Sequence, residues 1–220
     1  MKDYLITLLG GLGTTLQLTA LSLLLGVAMA VLMTWVLERR IPLATQLVQV
    51  WVLIFTGTPL LIQIFLIYYG PGQFEWLKSG PLWPLLKQPW FCAVLALGFN
   101  TAAYSTRLFK GALEAIPAGE VEACRALGFT PGQTLWMKAR HAARRLVPAY
   151  SNEVILVLKG SSLASTITIM DIMGLAQRLN AQTYDTLAVF TVAGALYLGM
   201  NGLLTIGFRW CERRALAFQG

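Results

Sequence analysis

Apolar positions in this chain run together in long blocks, whereas a half-buried strand would alternate every second residue and a soluble helix would show one apolar stripe. A helix of roughly 20 residues crosses the roughly 30 Å of bilayer hydrocarbon, so a block of that length predicts a membrane span. Four blocks qualify, at about 12–37, 43–69, 90–108 and 186–208, and a fifth, at about 146–170, does so with polar interruptions. The first carries no charge before Glu38, Arg39 and Arg40. Its length exceeds the roughly 7 to 15 apolar residues of a secretory signal, and only Lys2 and Asp3 precede it, which favours a retained span over a cleaved leader.

Lys and Arg collect on the cytoplasmic side of short loops, so they orient the spans. With the N-terminus outside, the inner pieces hold Arg39, Arg40, Arg107, Lys110, Arg125, Lys138, Arg140, Arg144, Arg145, Arg209, Arg213 and Arg214. The outer pieces hold Lys2, Lys78, Lys87 and Arg178, and Lys159 falls within a span, so the 17 basic residues divide 12 to 4 with one left over. The sequence therefore predicts an all-α integral membrane protein of five transmembrane helices, N-terminus outside and C-terminus in the cytoplasm. Composition agrees, because 56% hydrophobic residues, 12% charged residues and a mean hydropathy of +0.63 exclude an ordinary soluble domain. The net charge of +7 is then accounted for by an anionic inner leaflet and requires no nucleic acid.

Chemistry of the metal or disulfide kind finds little support. Cys92, Cys124 and Cys211 fall in three different environments with no ligand spacing, and read as unpaired thiols. His141 stands alone among arginines and reads as a solvated surface residue, so no metal site is expected. The outer loop 70–89 is rich in Gly, Pro and aromatic residues, and Trp76, Trp83 and Trp90 suit the headgroup layer without invoking a ligand pocket.

Polar residues at membrane depth carry more information. The longest cytoplasmic segment, about 110–147, is expected to form two short helices, the first ending near Gly128. The second would begin at Thr130 as N-cap, with Pro131 at the first position, Gln133 reaching back in a capping box, and its basic face at the headgroups. Ser151, Asn152, Glu153, Lys159, Ser161 and Ser162 interrupt the fourth span, and such residues face protein or water rather than lipid. Glu153 and Lys159 are about 240° apart around a helix, so they cannot pair with each other. The Gly160-Ser161-Ser162 triplet would allow a helix break. Gly57-Thr58-Pro59, with Gln63 a turn beyond, predicts a kink in the second span.

The stretch IPAGEVEACRALGFTPGQ, residues 116–133, resembles the EAA loop of ABC importer permeases, whose form is EAA, three residues, then Gly. Glu122, Ala123, Cys124 and Gly128 match it, with Cys in place of the second Ala. NTAAYSTRLFKGAL, GTPLLIQIFLIYYGPGQF and PAYSNEVILVLKGSSLASTITIMDIMG also look like the polar amino acid permeases, and together the likeness covers nearly the whole chain. It is greatest to the M-type subunits of importers for arginine and for histidine, lysine and ornithine.

The resemblance implies a single type I importer permease domain over residues 1–220, with its core at about 12–209 and its coupling segment at about 116–146. It implies the bacterial inner membrane, a homologous second permease subunit, two ATPase subunits and a periplasmic substrate-binding protein. The EAA loop would form the coupling helix that sits in a cleft of the ATPase. The chain has no GxxxxGK[ST] phosphate loop, so it is expected to be no enzyme and to hold no cofactor, with ATP and Mg bound by the ATPase. A basic amino acid is the implied substrate, and Glu153, Lys159, Asn152, Ser161 and Ser162 are the candidate path residues. A carboxylate in a dry cavity favours a cation, and for Glu153 that cation is either the substrate or an Arg or Lys of the second permease. Lys159 could face a substrate carboxylate or a helix C-terminus, and Asp171 and Asp185 read as outer loop or docking residues.

The chain departs from the family pattern in three places, one of them the tolerable insertion of Gly160 before the Ser pair that follows Lys159. It lacks the IxLP ending after the EAA loop, where it reads MKARHAARR, and it carries Arg107 where many relatives have Glu. A self-contained ion- or proton-coupled carrier or channel is the rival from composition alone. An intramembrane hydrolase lacks its motifs, since no HExxH or GxSxG occurs.

Overall fold

The computed structural model describes residues 1–216, apart from the side chains of 144, 145, 147 and 213–216. The orienting charges assigned above to Arg144, Arg145, Arg213 and Arg214, and residues 217–220 of the domain, lie outside the described residues. Among the described residues there is no strand. The helices are α1 (Lys2–Leu9), α2 (Leu12–Arg39), α3 (Pro42–Gly57), α4 (Leu60–Tyr69), α5 (Glu75–Lys78), α6 (Trp83–Leu86), α7 (Pro89–Glu114), α8 (Ala118–Ala126), α9 (Pro131–Ser161), α10 (Ile172–Thr183) and α11 (Thr186–Leu216). Short 3₁₀ turns at Pro71–Gln73 and Ser162–Ile167 complete the chain.

Two stretches, Lys2–Arg39 and Thr186–Glu212, are long and apolar enough to cross a membrane by themselves. Two further pairs qualify only together, Pro42–Gly57 with Leu60–Gln73, bent by 110°, and Pro148–Ile167 with Ile172–Thr183, bent by 47°. The 26-residue α7 is polar by comparison, carrying Asn100, Thr101, Ser105 and Thr106, because it sits inside the bundle. It packs against α2, α3, α4 and α9.

The most extensive helix contact joins α2 to α7, and its chemistry inverts that of a soluble core. On α2 the buried residues are Thr15, Leu18, Thr19, Ser22, Gly26, Ala30 and Thr34, while Leu16, Leu21, Leu24, Val31 and Leu32 point outward. The face of α7 that meets them is rich in Ala, Gly, Ser and Thr. Lipid is as apolar as leucine, so close backbone approach rather than hydrophobicity drives such packing. One cluster then gathers Leu18, Ile64, Leu97, Ala164 and Ile167, with Trp90 against it, and a second gathers Leu8, Ile172, Ala176 and Val189 under α1. Trp90 is therefore a packing residue, whereas Trp76 is exposed.

Several expectations are corrected. The second apolar block is not one kinked helix, because Thr58 and Pro59 are both extended and separate α3 from α4. The second cytoplasmic helix and the interrupted fourth span are not separate either, since both belong to the 31-residue α9, which carries Pro148 in its interior. Thr130 does open α9 with the expected capping box: its Oγ1 accepts the Gln133 N–H at 3.3 Å, and Gln133 Oε1 accepts the Thr130 N–H at 2.8 Å.

The helix does not break at Gly160-Ser161-Ser162. It tightens to a 3₁₀ turn at Ser162, and the change of direction follows at Thr168, whose φ of 70° is left-handed. Asp171 then caps α10, accepting the Gly174 N–H at 2.8 Å and the Tyr197 O–H at 3.0 Å, and it is fully buried. It is a structural anchor and not a docking residue. Asp185 stays exposed, where it accepts the Tyr4 O–H at 3.3 Å.

A side chain at Gly26 would collide with the Thr101 methyl and lie 3.2 Å from the Gly98 carbonyl oxygen, whereas one at Gly13 would meet nothing. Gly26→Ala is therefore expected to destabilise the purified protein by about 1–3 kcal/mol through overpacking, and Gly13→Ala is expected not to. Thermal unfolding of the two variants in the same detergent checks the difference.

Candidate functional site

The break between α3 and α4 exposes backbone groups that a helix would satisfy. The Phe55 carbonyl would ordinarily accept the N–H of residue 59, but Pro59 has none. At membrane depth an unmet carbonyl costs several kcal/mol. Two side-chain amides meet it instead. Gln63 Nε2 donates to Phe55 O at 2.9 Å and to Thr58 O at 3.0 Å, and Asn100 Nδ2 donates to Phe55 O at 3.1 Å. Asn100 Nδ2 also donates to Gln63 Oε1 at 3.0 Å, which ties the break to α7.

A cavity of about 200 Å³ lies beside this break, lined by Leu60, Leu97, Asn100, Tyr104, Glu153, Leu156 and Val157. Glu153 is only 5% exposed, and its Oε1 accepts the Thr101 O–H at 2.5 Å. Among the described residues the carboxylate accepts this hydroxyl, and Glu153 is part of the lining of the cavity.

Asn152, Leu156 and Lys159 share the neighbouring face of α9, which is exposed in this chain. Glu153 and Lys159 do point different ways. Ser161 Oγ and Ser162 Oγ donate to the carbonyls of Leu158 and Lys159, each at 2.7 Å, so both hydroxyls are engaged with the helix end. Asn100, Thr101 and Tyr104 were not singled out in the sequence. The signal for Asn100 was present, as an amide in the middle of an apolar block.

The loop between α7 and α9 is built around α8. Its carboxyl end is a Schellman turn: Gly128 has φ of 77°, the Phe129 N–H donates to Cys124 O at 3.0 Å, and the Gly128 N–H donates to Arg125 O at 3.0 Å. This gives the spacing from Glu122-Ala123-Cys124 to Gly128 a physical reason, since a side chain at position 128 would be strained in that conformation. Cys124 is 8% exposed, which calls for a small residue, while Glu122, Ala123 and Ala126 are exposed and Leu127 is 75% exposed. Glu120 Oε2 lies 3.5 Å from His141 Nδ1, so His141 contacts α8 from α9 and is not merely solvated.

Above this loop Glu38 receives Lys110 Nζ and Lys138 Nζ, each at 2.7 Å, and Lys110 also lies 3.3 Å from Glu114. Burial alone would lower the pKa of Lys110, but Glu38 and Glu114 outweigh it and hold it above the usual lysine range. That contribution is complete below the ordinary lysine pKa and is lost only as pH rises through the raised one, so it persists at neutral pH. Arg107 is exposed and makes no ion pair among the described residues. Cys92, Cys124 and Cys211 are free thiols.

Helices that turn large apolar side chains outward and gather amides, hydroxyls and a carboxylate around an interior space define an integral membrane protein with a polar interior. Residues 22–216 match the family described as binding-protein-dependent transport system inner membrane component, and the chain belongs to that family. It is therefore a transport component and not an enzyme.

Among its relatives, the arginine ABC transporter permease protein ArtM of Haemophilus influenzae is 48% identical over 218 residues, covering 99% of this chain and 96% of the relative. The protein of the same name from Escherichia coli strain K12 is 50% identical over 220 residues, covering 100% and 99%. A crystal structure of an amino acid ABC transporter with histidines contains a chain that superposes with a TM-score of 0.87 at 28% identity, over 97% of this chain and 96% of that one.

Gly128→Ala places a side chain in a left-handed conformation that costs about 1–2 kcal/mol. Hydrogen exchange at the Phe129 amide is expected to speed up accordingly, while the amides of α9 beyond its first turn stay protected.

Proposed function

We propose that this chain is the transmembrane subunit of an ATP-driven, binding-protein-dependent importer of basic amino acids, with arginine as its substrate. The observation that carries this reading is identity of about one half, over essentially the whole length, to permeases named for arginine. The buried Glu153 beside a cavity supports it, because a carboxylate in a low-dielectric space favours a cation.

Five spans form the permease core at about 12–209. They lie at about 12–37 on α2, 43–69 on the bent α3–α4 pair, 90–108 on α7, 146–170 on α9 and its 3₁₀ turn, and 186–208 on α11. The N-terminus faces the periplasm and the C-terminus the cytoplasm of the bacterial inner membrane. The translocation path lies where Asn100, Tyr104 and Glu153 adjoin the exposed face of Asn152 and Lys159, and a homologous second permease closes it. Ser161 and Ser162 shape the helix end that borders it.

Glu122, Ala123, Cys124 and Gly128 belong to the loop that docks on one of two ATPase subunits, which bind the ATP and Mg. The small, exposed face of α8 suits insertion into a cleft, and the Schellman turn fixes where that helix stops. A periplasmic binding protein delivers the amino acid from the other side.

Mild detergent extraction of the tagged chain from its native membrane is expected to bring with it an ATPase and a second permease of similar size, identified by mass spectrometry. Recovery of the chain alone in repeated extractions would instead favour a self-contained carrier or channel. In vesicles holding the full complex, Glu153→Gln is expected to weaken uptake of arginine more than uptake of a neutral amino acid. Equal loss for both would assign Glu153 to holding α7 against α9 through Thr101.

A further inference from the structure

We propose that Glu38 is the fulcrum through which movement of the cytoplasmic loop is converted into movement of the helix that carries Glu153, an inference that rests on the importer reading above. Glu38 closes α2, and its carboxylate is mostly covered, with one oxygen on Lys110 of α7 and the other on Lys138 of α9, both at 2.7 Å. One side chain therefore holds three helices.

What surrounds this triad matters as much as its distances. A cavity of about 300 Å³ lies on one side, between α2, α7 and α9, and another of about 260 Å³ lies on the other, between α2, α8 and α9. Glu38 lines both. At this level the Glu38 ion pairs tie the lower half of α9 to α2 and α7 beside two cavities. Such a contact fixes a distance while leaving the helix free to tilt, whereas a packed interface would resist rotation. Its partial burial also spares it much of the screening that weakens exposed ion pairs.

The helix so held is continuous. Below Lys138 it begins at Pro131, next to the Schellman turn of α8, and one turn above Lys138 His141 touches Glu120 on that helix. Above Lys138, 15 residues on and roughly 22 Å along the axis, comes Glu153. A push delivered to α8 enters the short lower arm through the Schellman turn that leads into Pro131. With Lys138 pinned by Glu38 the long upper arm must swing, and Pro148 between the two lowers its resistance to bending. Without the pin the push is dissipated as a slide of α9 past α2. Glu38 touches no substrate in this scheme and acts as a positioning residue.

The test uses the assembled complex of this chain, its second permease, the ATPase pair and the binding protein in sealed vesicles, and reads arginine uptake and ATP hydrolysis together. Absence of ATP-driven uptake by the wild-type complex would overturn the importer reading, and the fulcrum with it. With wild-type uptake present, Glu38→Gln and Lys138→Met are each expected to raise the ATP hydrolysed per arginine imported about fivefold, the low end of coupling between distant sites. Lys110→Met, which spares the link to α9, is expected to raise it less, and Glu38→Asp to recover most of the coupling. A residue needed only for stability would lower the amount of assembled complex and leave the ratio alone. An unchanged ratio in the assembled Glu38→Gln and Lys138→Met complexes would therefore overturn the proposal. Failure of both variants to assemble would overturn it too, since the triad would then be a folding contact.

Discussion

The close approach of α2 and α7 along a stripe of small residues sets the position of everything else in this chain. Helices surrounded by lipid gain nothing by hiding leucine from it, so association depends on how near two backbones can come and how many polar groups they can satisfy. Gly26, Ala30 and Ser22 on α2 permit that approach, and Gly98 and Thr101 receive it on α7. Thr101 then turns from packing to chemistry, because its hydroxyl is the one that meets the Glu153 carboxylate. Glu153 is thus held in place by the same contact that builds the bundle.

A second requirement, that no backbone carbonyl at membrane depth be left alone, explains the polar residues of the second apolar block. Pro59 creates the deficit at Phe55, and Gln63 and Asn100 repair it from two different helices. The repair fixes the direction in which α4 leaves α3, and so shapes one wall of the cavity beside Glu153. Here local sequence chemistry, helix direction and the wall of a candidate path are one chain of cause.

Much of this was legible beforehand where the signal was local. The capping box of Thr130 and Gln133 and the stop at Gly128 follow from a few adjacent residues, and the helices cover the five apolar blocks. The bend at Pro59 was legible as a bend but not as a turn of 110°, because proline announces a missing hydrogen bond and not the angle that tertiary contacts will choose. The continuity of α9 was hidden by a change of polarity, since a basic amphipathic stretch gives way to an apolar one without any change in the backbone. The Glu38 triad was not legible at all. Its partners lie 72 and 100 residues away, and nothing in a count of basic residues says which of them find a carboxylate.

The unbroken course of α9 also makes it a ruler with a fixed phase. Adding or removing one residue between Lys138 and Glu153 would turn the upper half by about 100° relative to the lower. The carboxylate would then leave the wall of its cavity even though every side chain kept its identity. The loop between α4 and α7, built of short turns, carries no such register. Length is therefore free to vary on one side of the protein and is locked to the residue on the other.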